Sequence, residues 1–408
     1  MKTLVDYLNK HYPQGFCSAL EDDFRKKHSV RIRRQDELFQ FKYWLFDSSF
    51  SNEVTGQSRG HIVAFTNGKW VFRSRPFDKF FNRHEGFCPI NAKGEFERLM
   101  PEFTLIEKAD GTMIQLWWDP ERQIWRLSTT GRINAEALDD FPDLIIDQLF
   151  LRVLGRKLED LDSILDKNNT YLFELCAKEN AILTKYPTDR AYLLTYRNTQ
   201  NGDYATLQQV ADLTTILKQT GCNLGQLFTA KLSDLGLSSL NELADFIDQQ
   251  SKNPEFPDPL EGFVIWHENM PVAKMKTALY KQFFSFSGGD MTFARKKVVE
   301  AFFQEQLDDV WHVLNERLLE LADSLPQKVR KIAEQIERLA KELFSNTYPD
   351  RKSYAQAVLA LPMDKRFKDI FFRHHEQLQA DPSRAFEFLM EKLQNHENWK
   401  KFMDLWLT

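Results

Sequence analysis

Lys108 ends an apolar run, Phe103-Thr-Leu-Ile-Glu-Lys108, and is followed by the polar turn Ala109-Asp110-Gly111. A lysine half withdrawn from water at such a corner loses part of the hydration that favours its ammonium. The neutral amine, a nucleophile, then comes within reach. A Lys-x-Asp-Gly match arises by chance in about one chain of this length in ten at ordinary residue usage, so its neighbours must carry the argument. Glu174 interrupts the apolar run Tyr171-Leu-Phe-Glu174-Leu-Cys176, and Glu261-Gly262 opens another, Phe263-Val-Ile-Trp266. A carboxylate on a buried strand face is costly unless it meets a cation, a metal ion or a hydroxyl. Lys274 and Lys276, spaced i, i+2, leave the same face of one strand. Upstream lie Arg59-Gly60 and a block that interleaves cations with aromatics, Arg73-Ser-Arg75-Pro-Phe-Asp-Lys79-Phe-Phe81-Asn82. Lysine offers phosphate oxygens a point charge and arginine a fork. Paired carboxylates suit Mg²⁺, which prefers oxygen ligands and keeps several waters, or sugar hydroxyls. One nucleophile ringed by cations and carboxylates is equipped for phosphoryl transfer, in which positioning and charge neutralisation supply most of the catalysis. Lys274 and Lys276 would also disfavour protonation of Lys108, while Asp110 acts in the opposite sense.

Strands must position most of these groups. Residues 36–100 are β-rich and aromatic, with Phe39, Phe41, Tyr43 and Leu45 alternating and a hairpin signal at Asn67-Gly68. The strand-like runs on either side of the Lys-x-Asp-Gly turn predict a hairpin or a bulge. Trp125–Thr129 is a further strand, residues 136–167 are helical by their leucine spacing, and residues 170–206 return to strands with a turn at Asn201-Gly202-Asp203. Two or three helices fill 207–252, and a proline-rich loop then leads to the strands at Glu261 and Val272. The basic run Arg25, Lys26, Lys27, His28, Arg31, Arg33 and Arg34 alternates with Val30 and Ile32, which predicts an exposed strand face with a basic side. From about 278 onward the periodicity is helical only, and Pro326 reads as the start of a new helix. The expected fold class is α+β: an antiparallel-sheet domain over 1–286 with a β-rich N-terminal extension, then an all-α domain over 287–408. The boundary is placed near Phe286-Ser-Gly288-Gly289.

The 408 residues suffice for two or three domains, and 42% hydrophobic with 28% charged residues is ordinary for a soluble protein. A net charge of −5 means that a nucleic-acid partner would need local basic patches. Cys17, Cys88, Cys176 and Cys222 are widely separated and form no C-x-x-C pair, which argues against a zinc ribbon or a disulfide framework and for a reducing compartment. Met1–Asp6 lacks a signal-like apolar segment, and no run reaches a membrane span; a cytoplasmic protein without a membrane partner is expected.

The ordered set resembles the covalent nucleotidyltransferase superfamily of ligases and capping enzymes. Lys108-Ala-Asp-Gly111, Phe173-Glu174, Glu261-Gly262-Phe-Val-Ile265 and Lys274-Met-Lys276 stand as its motifs I, III, IV and V. The closer likeness is to the bacteriophage RNA ligase 1 family, through Arg59-Gly60, the block Ser74-Arg75-Pro76-Phe77-Asp78-Lys79-Phe80-Phe81-Asn82, the Arg197 strand with its Gly202-Asp203-Tyr204 turn, and Tyr280. The resemblance covers roughly Phe39 to Ser285. It implies an antiparallel-sheet nucleotidyltransferase domain and an ATP-dependent RNA ligase that joins 5′-phosphate to 3′-hydroxyl ends through ligase-lysyl-AMP and RNA-adenylate, in RNA or tRNA repair. Its implied catalytic residues are Lys108, Lys274, Lys276, Glu174 and Glu261. ATP would be bound by these together with Tyr43, Arg59, Lys79, Phe81, Glu107, Gly111 and Tyr280. Mg²⁺, with Mn²⁺ as a substitute, would be held by Glu174 and Glu261 through water. Broken tRNA as substrate, an end-healing kinase/phosphatase as partner, a monomeric state and an RNA-specificity role for residues 287–408 are also implied. Thr130 stands where the family commonly carries a basic residue before a glycine, and Arg132 is the nearby candidate to replace it. The competing readings are a DNA-end ligase or GTP-using capping transferase, and a non-catalytic RNA-binding relative.

Overall fold

A computed structural model describes residues 3–43, 50, 53–83, 85, 88, 95–135, 137–138, 141–181, 184–281, 291–307 and 316–407. Strands β1 (Val30–Gln35), β2 (Leu38–Tyr43), β3 (Arg59–Thr66) and β4 (Lys69–Ser74) form an antiparallel sheet in chain order. Asn67 and Gly68, with φ of 51° and 73°, make the tight turn from β3 to β4. Alternation splits the sheet's two faces. Phe39, Phe41, Val63, Trp70 and Phe72 pack against helices α1 (Leu4–His11) and α2 (Ser18–His28). Leu38, Ile62 and Ala64 meet Trp117 and Ile133 on the other side. The basic run is not one strand. Arg25 to His28 form the last turn of α2, where cations suit the helix dipole and where Asp22 and Asp23 pair with Arg25 and Lys27. Ser29 in the left-handed conformation ends that helix, and only Arg31, Arg33 and Arg34 lie on β1.

Eleven further strands follow: β5 (Phe81–Asn82), β6 (Thr104–Lys108), β7 (Thr112–Asp119), β8 (Ile124–Thr129), β9 (Ala137–Leu138), β10 (Phe141–Ile145), β11 (Asn169–Cys176), β12 (Arg190–Asn198), β13 (Thr229–Lys231), β14 (Gly262–His267) and β15 (Met270–Lys276). One sheet has the order β12-β11-β7-β8 and another β13-β6-β14-β15-β5, with β15 and β5 parallel; β9 and β10 pair with each other. The first of these covers a core with helices α3 (Ile146–Leu154) and α4 (Leu207–Gln219), and the second a core with α5 (Leu240–Gln250). Between the two sheets runs a seam of Phe77, Ile106, Leu172 and Trp266. The runs around Lys108 do not form a hairpin with each other. β6 pairs with β13 and β14, and β7 with β11 and β8, so Ala109-Asp110-Gly111 carries the chain from one sheet to the other. Helix is likewise only part of 136–167: β9 and β10 come first, Gly155 ends α3 in the left-handed conformation, and a 3₁₀ turn covers Leu158–Leu161.

The chain divides into two compact units, Met1–Phe284 and Ser285–Thr408. The described part of the second is helical: α6 (Met291–Phe303), α7 (Glu316–Phe344), α8 (Arg351–Ala360), α9 (Asp369–Arg373), α10 (His375–Ala380), α11 (Ala385–Gln394) and α12 (Met403–Leu407), with 3₁₀ turns between. Pro326 starts no helix but lies inside α7. A proline removes one backbone hydrogen bond there, but Leu318, Leu321, Leu325, Val329, Ile336, Leu339 and Leu343 keep one face buried along the whole helix. Residues 286–289, where the boundary is expected, and residues 308–315 of the segment expected to be helical lie outside the described residues. The fold is α+β, antiparallel sheets followed by helices.

Candidate active site

Three neighbouring strands carry the central residues in one row. Gly262 of β14 stands opposite Lys108 of β6 on one side and opposite Lys276 of β15 on the other. Gly262 has φ +148°, and a Cβ there would lie 2.1 Å from the Met275 carbonyl oxygen and 2.7 Å from the Lys276 Cα. Glycine therefore lets the strands close up where the two lysines meet. Glu261, the residue before it and 3% exposed, sits between them. Lys108 Nζ lies 2.7 Å from its Oε2, and Lys276 Nζ lies 3.0 Å from its Oε1. A carboxylate taken out of water is thus balanced by two ammonium groups.

The other sheet closes the site from across the seam. A Cβ on Gly111 would lie 2.2 Å from the Leu175 carbonyl oxygen, so only glycine allows the turn to approach β11 this closely. The Gly111 N–H donates to Glu174 Oε1 at 3.1 Å. Asp110 is held away from a simple solvent-facing role: its carboxylate accepts from the Thr184 N–H at 3.0 Å, and its own N–H donates to the Tyr186 hydroxyl at 2.7 Å. Burial pushes the Glu174 carboxyl up to about 8; Lys108 pulls it down, while Glu261 and Asp110 push it further up. A proton or a cation relieves that crowding. Among the described residues no group of three or more His, Cys, Asp or Glu side chains gathers as a metal-holding cluster. Glu174 and Glu261 are two hard oxygen donors near each other, which fits a cation such as Mg²⁺ that retains its waters.

Cations and rings occupy the β15 end of the sheet. Lys274 is 5% and Lys276 7% exposed. Lys274 stands opposite Asn82 of β5, and Ala273 opposite Phe81, so the aromatic block becomes a strand of the same sheet. Lys79 Nζ lies 5.3, 5.2 and 5.5 Å from the ring centres of Tyr43, Phe50 and Phe81, a three-ring cage for one ammonium. The Tyr280 ring lies 5.1 Å from Lys276 Nζ. Arg59 stacks at 5.4 Å over Phe80.

Arg197 fastens this block from behind. It is 3% exposed and donates to the carbonyls of Gly202 at 3.0 Å and Pro76 at 2.9 Å, to the Tyr204 hydroxyl at 3.0 Å and to Asp78 at 3.3 Å. His61, fully buried, lies 3.2 Å from Asp78, and burial pushes its imidazole down to about 4, so the ring is neutral near pH 7.

Three residues depart from the central group. Alternation along β6 sends Glu107 to the face opposite Lys108; its carboxylate accepts from the Phe228 N–H at 3.2 Å, and burial raises its pKa. Thr130 lies against Gly60, whose Cβ would come within 2.7 Å of the Thr130 Cα. Arg132 accepts the Thr129 N–H through its carbonyl and closes the turn after β8. The ammonium beside that turn is a different one: Lys42 Nζ lies 3.3 Å from where a Cβ on Gly131 would be. Sequence reasoning passed over Lys42, whose only signal is its place between the inward-facing Phe41 and Tyr43.

The family expected from the sequence is matched by a family model. The RNA ligase family matches residues 57–296, more than half of the chain. An RNA ligase of Rhodothermus phage RM378 is 22% identical over 438 aligned positions, which cover 96% of this chain and 98% of the phage protein. Among solved structures, an archaeal ATP-dependent RNA ligase matches 88% of this chain and 89% of its own at 13% identity, with a TM-score of 0.42.

Proposed function

The chain belongs to the RNA ligase family, and we propose that it works by adenylating itself on Lys108 with ATP. The reading is carried by one observation: Glu261 holds Lys108 Nζ at 2.7 Å and Lys276 Nζ at 3.0 Å across three strands in register. In the first step the Lys108 amine forms a bond to the α-phosphorus of ATP, the bond to the β-phosphate oxygen breaks, and pyrophosphate leaves. Lys276 and Lys274 neutralise the α-phosphate, which gains charge as the leaving group departs. Lys79, in its cage of Tyr43, Phe50 and Phe81, and Arg59 over Phe80 face the leaving phosphates. Tyr280 supports the nucleotide beside Lys276, Gly111 gives the turn its close approach to β11, and Glu107 fixes the strand end at Phe228. Glu174 and Glu261 address the ribose or, through water, Mg²⁺ or Mn²⁺; a divalent ion so held would supply charge neutralisation at the phosphates. In the second step an oxygen of an RNA 5′-phosphate attacks the adenylate phosphorus and the P–N bond breaks, returning Lys108. In the third a 3′-hydroxyl attacks that 5′-phosphate, AMP leaves and a phosphodiester forms.

Broken RNA, including tRNA, is the proposed substrate, in a repair role and with the second unit as a module that selects among RNAs. Exposed cations on α7, Arg330, Lys331 and Arg338, support that role. Incubation with α-labelled ATP tests the central step. The full chain should retain label covalently, while Lys108→Ala and Lys276→Ala retain none. Equal labelling of Lys108→Ala removes the lysyl-adenylate reading, and labelling by GTP in place of ATP moves the enzyme to the capping class.

A further inference from the structure

We infer that Lys42 and Arg31 form a binding track for the phosphodiester backbone of the RNA strand, continuing outward from Arg59. The proposal rests on the RNA ligase reading above. In the first sheet Arg31 of β1 stands opposite Lys42 of β2, and Lys42 stands opposite Arg59 of β3. Directly opposed residues share a face, so three cations form one row across three strands. The face is fixed by the neighbours. Val30, Phe41 and Tyr43 belong to the core under α1 and α2, which leaves Arg31 and Lys42 on the opposite face. There Gln40, two residues from Lys42, donates to the Thr129 carbonyl at 2.8 Å, and Lys42 Nζ reaches the Gly131 position.

Arg59 joins the row through an irregularity. The β2–β3 register shifts between Phe41 and Lys42, so that Lys42 faces Arg59 rather than Gly60. Gly60 has φ +89° and its missing Cβ lets the backbone touch Thr130. An extra residue of this kind re-aims the side chains beside it. Without it Arg59 would fall on the core face of the sheet.

Like charges set directly opposite one another weaken a sheet. Charges on an edge strand guard against strand addition, which would account for Arg31. They do not account for Lys42, because β2 is an inner strand flanked by β1 and β3. The row also has the shape of a strand rather than of a nucleotide. It spans two strand spacings, about 10 Å, from Arg59 at the site to the sheet's edge. Adjacent phosphates of one triphosphate share a bridging oxygen and lie within reach of a single cation, whereas successive phosphodiesters spread over several.

The test uses the full chain with Lys42→Gln, Lys42→Arg, Arg31→Gln and the double variant Arg31→Gln/Lys42→Gln. Binding of a 5′-phosphorylated single-stranded RNA with a 3′ fluorophore is followed by anisotropy at several salt concentrations. Each phosphate contact removed should lower the slope of log affinity against log salt by about 0.7, so the double variant should lose about 1.4. Lys42→Arg should keep the wild-type slope. An unchanged slope in the double variant overturns the proposal, as does Lys42→Arg binding as weakly as Lys42→Gln. A rise in KM for ATP during self-adenylation, with RNA binding intact, overturns it too and assigns the row to the triphosphate. Because anisotropy needs no adenylation, failure of the lysyl-adenylate reading is seen separately, in the labelling of Lys108→Ala.

Discussion

Replacing Gly262 with alanine should slow self-adenylation sharply while touching no ionisable group. The added methyl would lie 2.1 Å from the Met275 carbonyl oxygen and 2.7 Å from the Lys276 Cα, both backbone atoms of the paired strand. Side-chain motion cannot relieve a clash with backbone, so β14 and β15 must separate by about 1 Å to restore ordinary van der Waals contact. The φ of +148° adds a conformational cost of about 1–3 kcal/mol for any residue with a Cβ. The separation falls in the middle of the Lys108–Gly262–Lys276 row. A displacement of about 1 Å at reacting groups costs on the order of 100-fold in rate. Gly262→Ala should therefore melt lower than the wild type and adenylate about 100-fold more slowly at saturating ATP. Gly68→Ala is the control: it also sits at positive φ, 73°, but a Cβ there meets nothing within 4 Å. It should lose about 1 kcal/mol of stability and keep its adenylation rate. Single-turnover transfer of α-labelled ATP, beside thermal unfolding of both variants, makes the measurement. Gly262→Ala adenylating at the wild-type rate would show that the close approach of these strands does not set the geometry of the reaction.

Two other expectations rest on electrostatics and on buried hydrogen bonding. Glu174, pushed up to about 8, holds its proton in the folded protein between its ordinary value and pH 8 while the unfolded chain has lost it; over that window stability falls as pH rises. Cation binding needs the carboxylate, so adenylation at limiting Mg²⁺ should climb between pH 7 and 9 and flatten in Glu174→Gln; an identical climb in the variant would clear Glu174 of that role. Arg197→Ala removes a buried guanidinium from four partners and leaves their acceptors without that donor, a loss of about 3–5 kcal/mol measured as a lower denaturant midpoint; an unchanged midpoint would mean that the block around Pro76 and Asp78 is held by other contacts.

The residue types that meet at the candidate site stood out in the sequence because they are expensive. Glu174 stands in an apolar strand and Glu261 directly before one, and the Lys274/Lys276 spacing fixes a shared face. The strand pairing was not legible. Lys108-Ala-Asp-Gly111 has the composition of a hairpin turn, yet Gly111 serves a close approach to Leu175, a residue 64 positions further on. Local preference reports that glycine is needed there without reporting what approaches. The basic run misled in the same way. Arg25 to His28 and Arg31 to Arg34 look continuous, and only Ser29 in the left-handed conformation divides helix from strand. Pro326 has the look of a helix start because proline favours a first helical turn. The apolar stripe of α7 runs through it, and tertiary burial outweighs one lost hydrogen bond.

Two glycines and one carboxylate explain why a lysine before an ordinary-looking turn stands at the centre of the candidate site. Gly111 brings the end of β6 against β11, and Gly262 brings β14 against β15, so Lys108 is squeezed between two sheets that share no strand. Such a junction would bury an unpaired ammonium. Glu261 prevents that, but it also bonds Lys276, so its negative charge is divided between two cations. If, as proposed, a phosphate takes Lys276 as its partner, the division would change: Glu261 would be left to Lys108 alone, and the phosphate would bring its own negative charge to the cations. In the proposed reaction one side chain would thus link phosphate binding to the electrostatics of Lys108, and Glu261→Gln, which keeps the shape and removes the charge, should slow labelling by α-labelled ATP; an unchanged rate would show that this link plays no part.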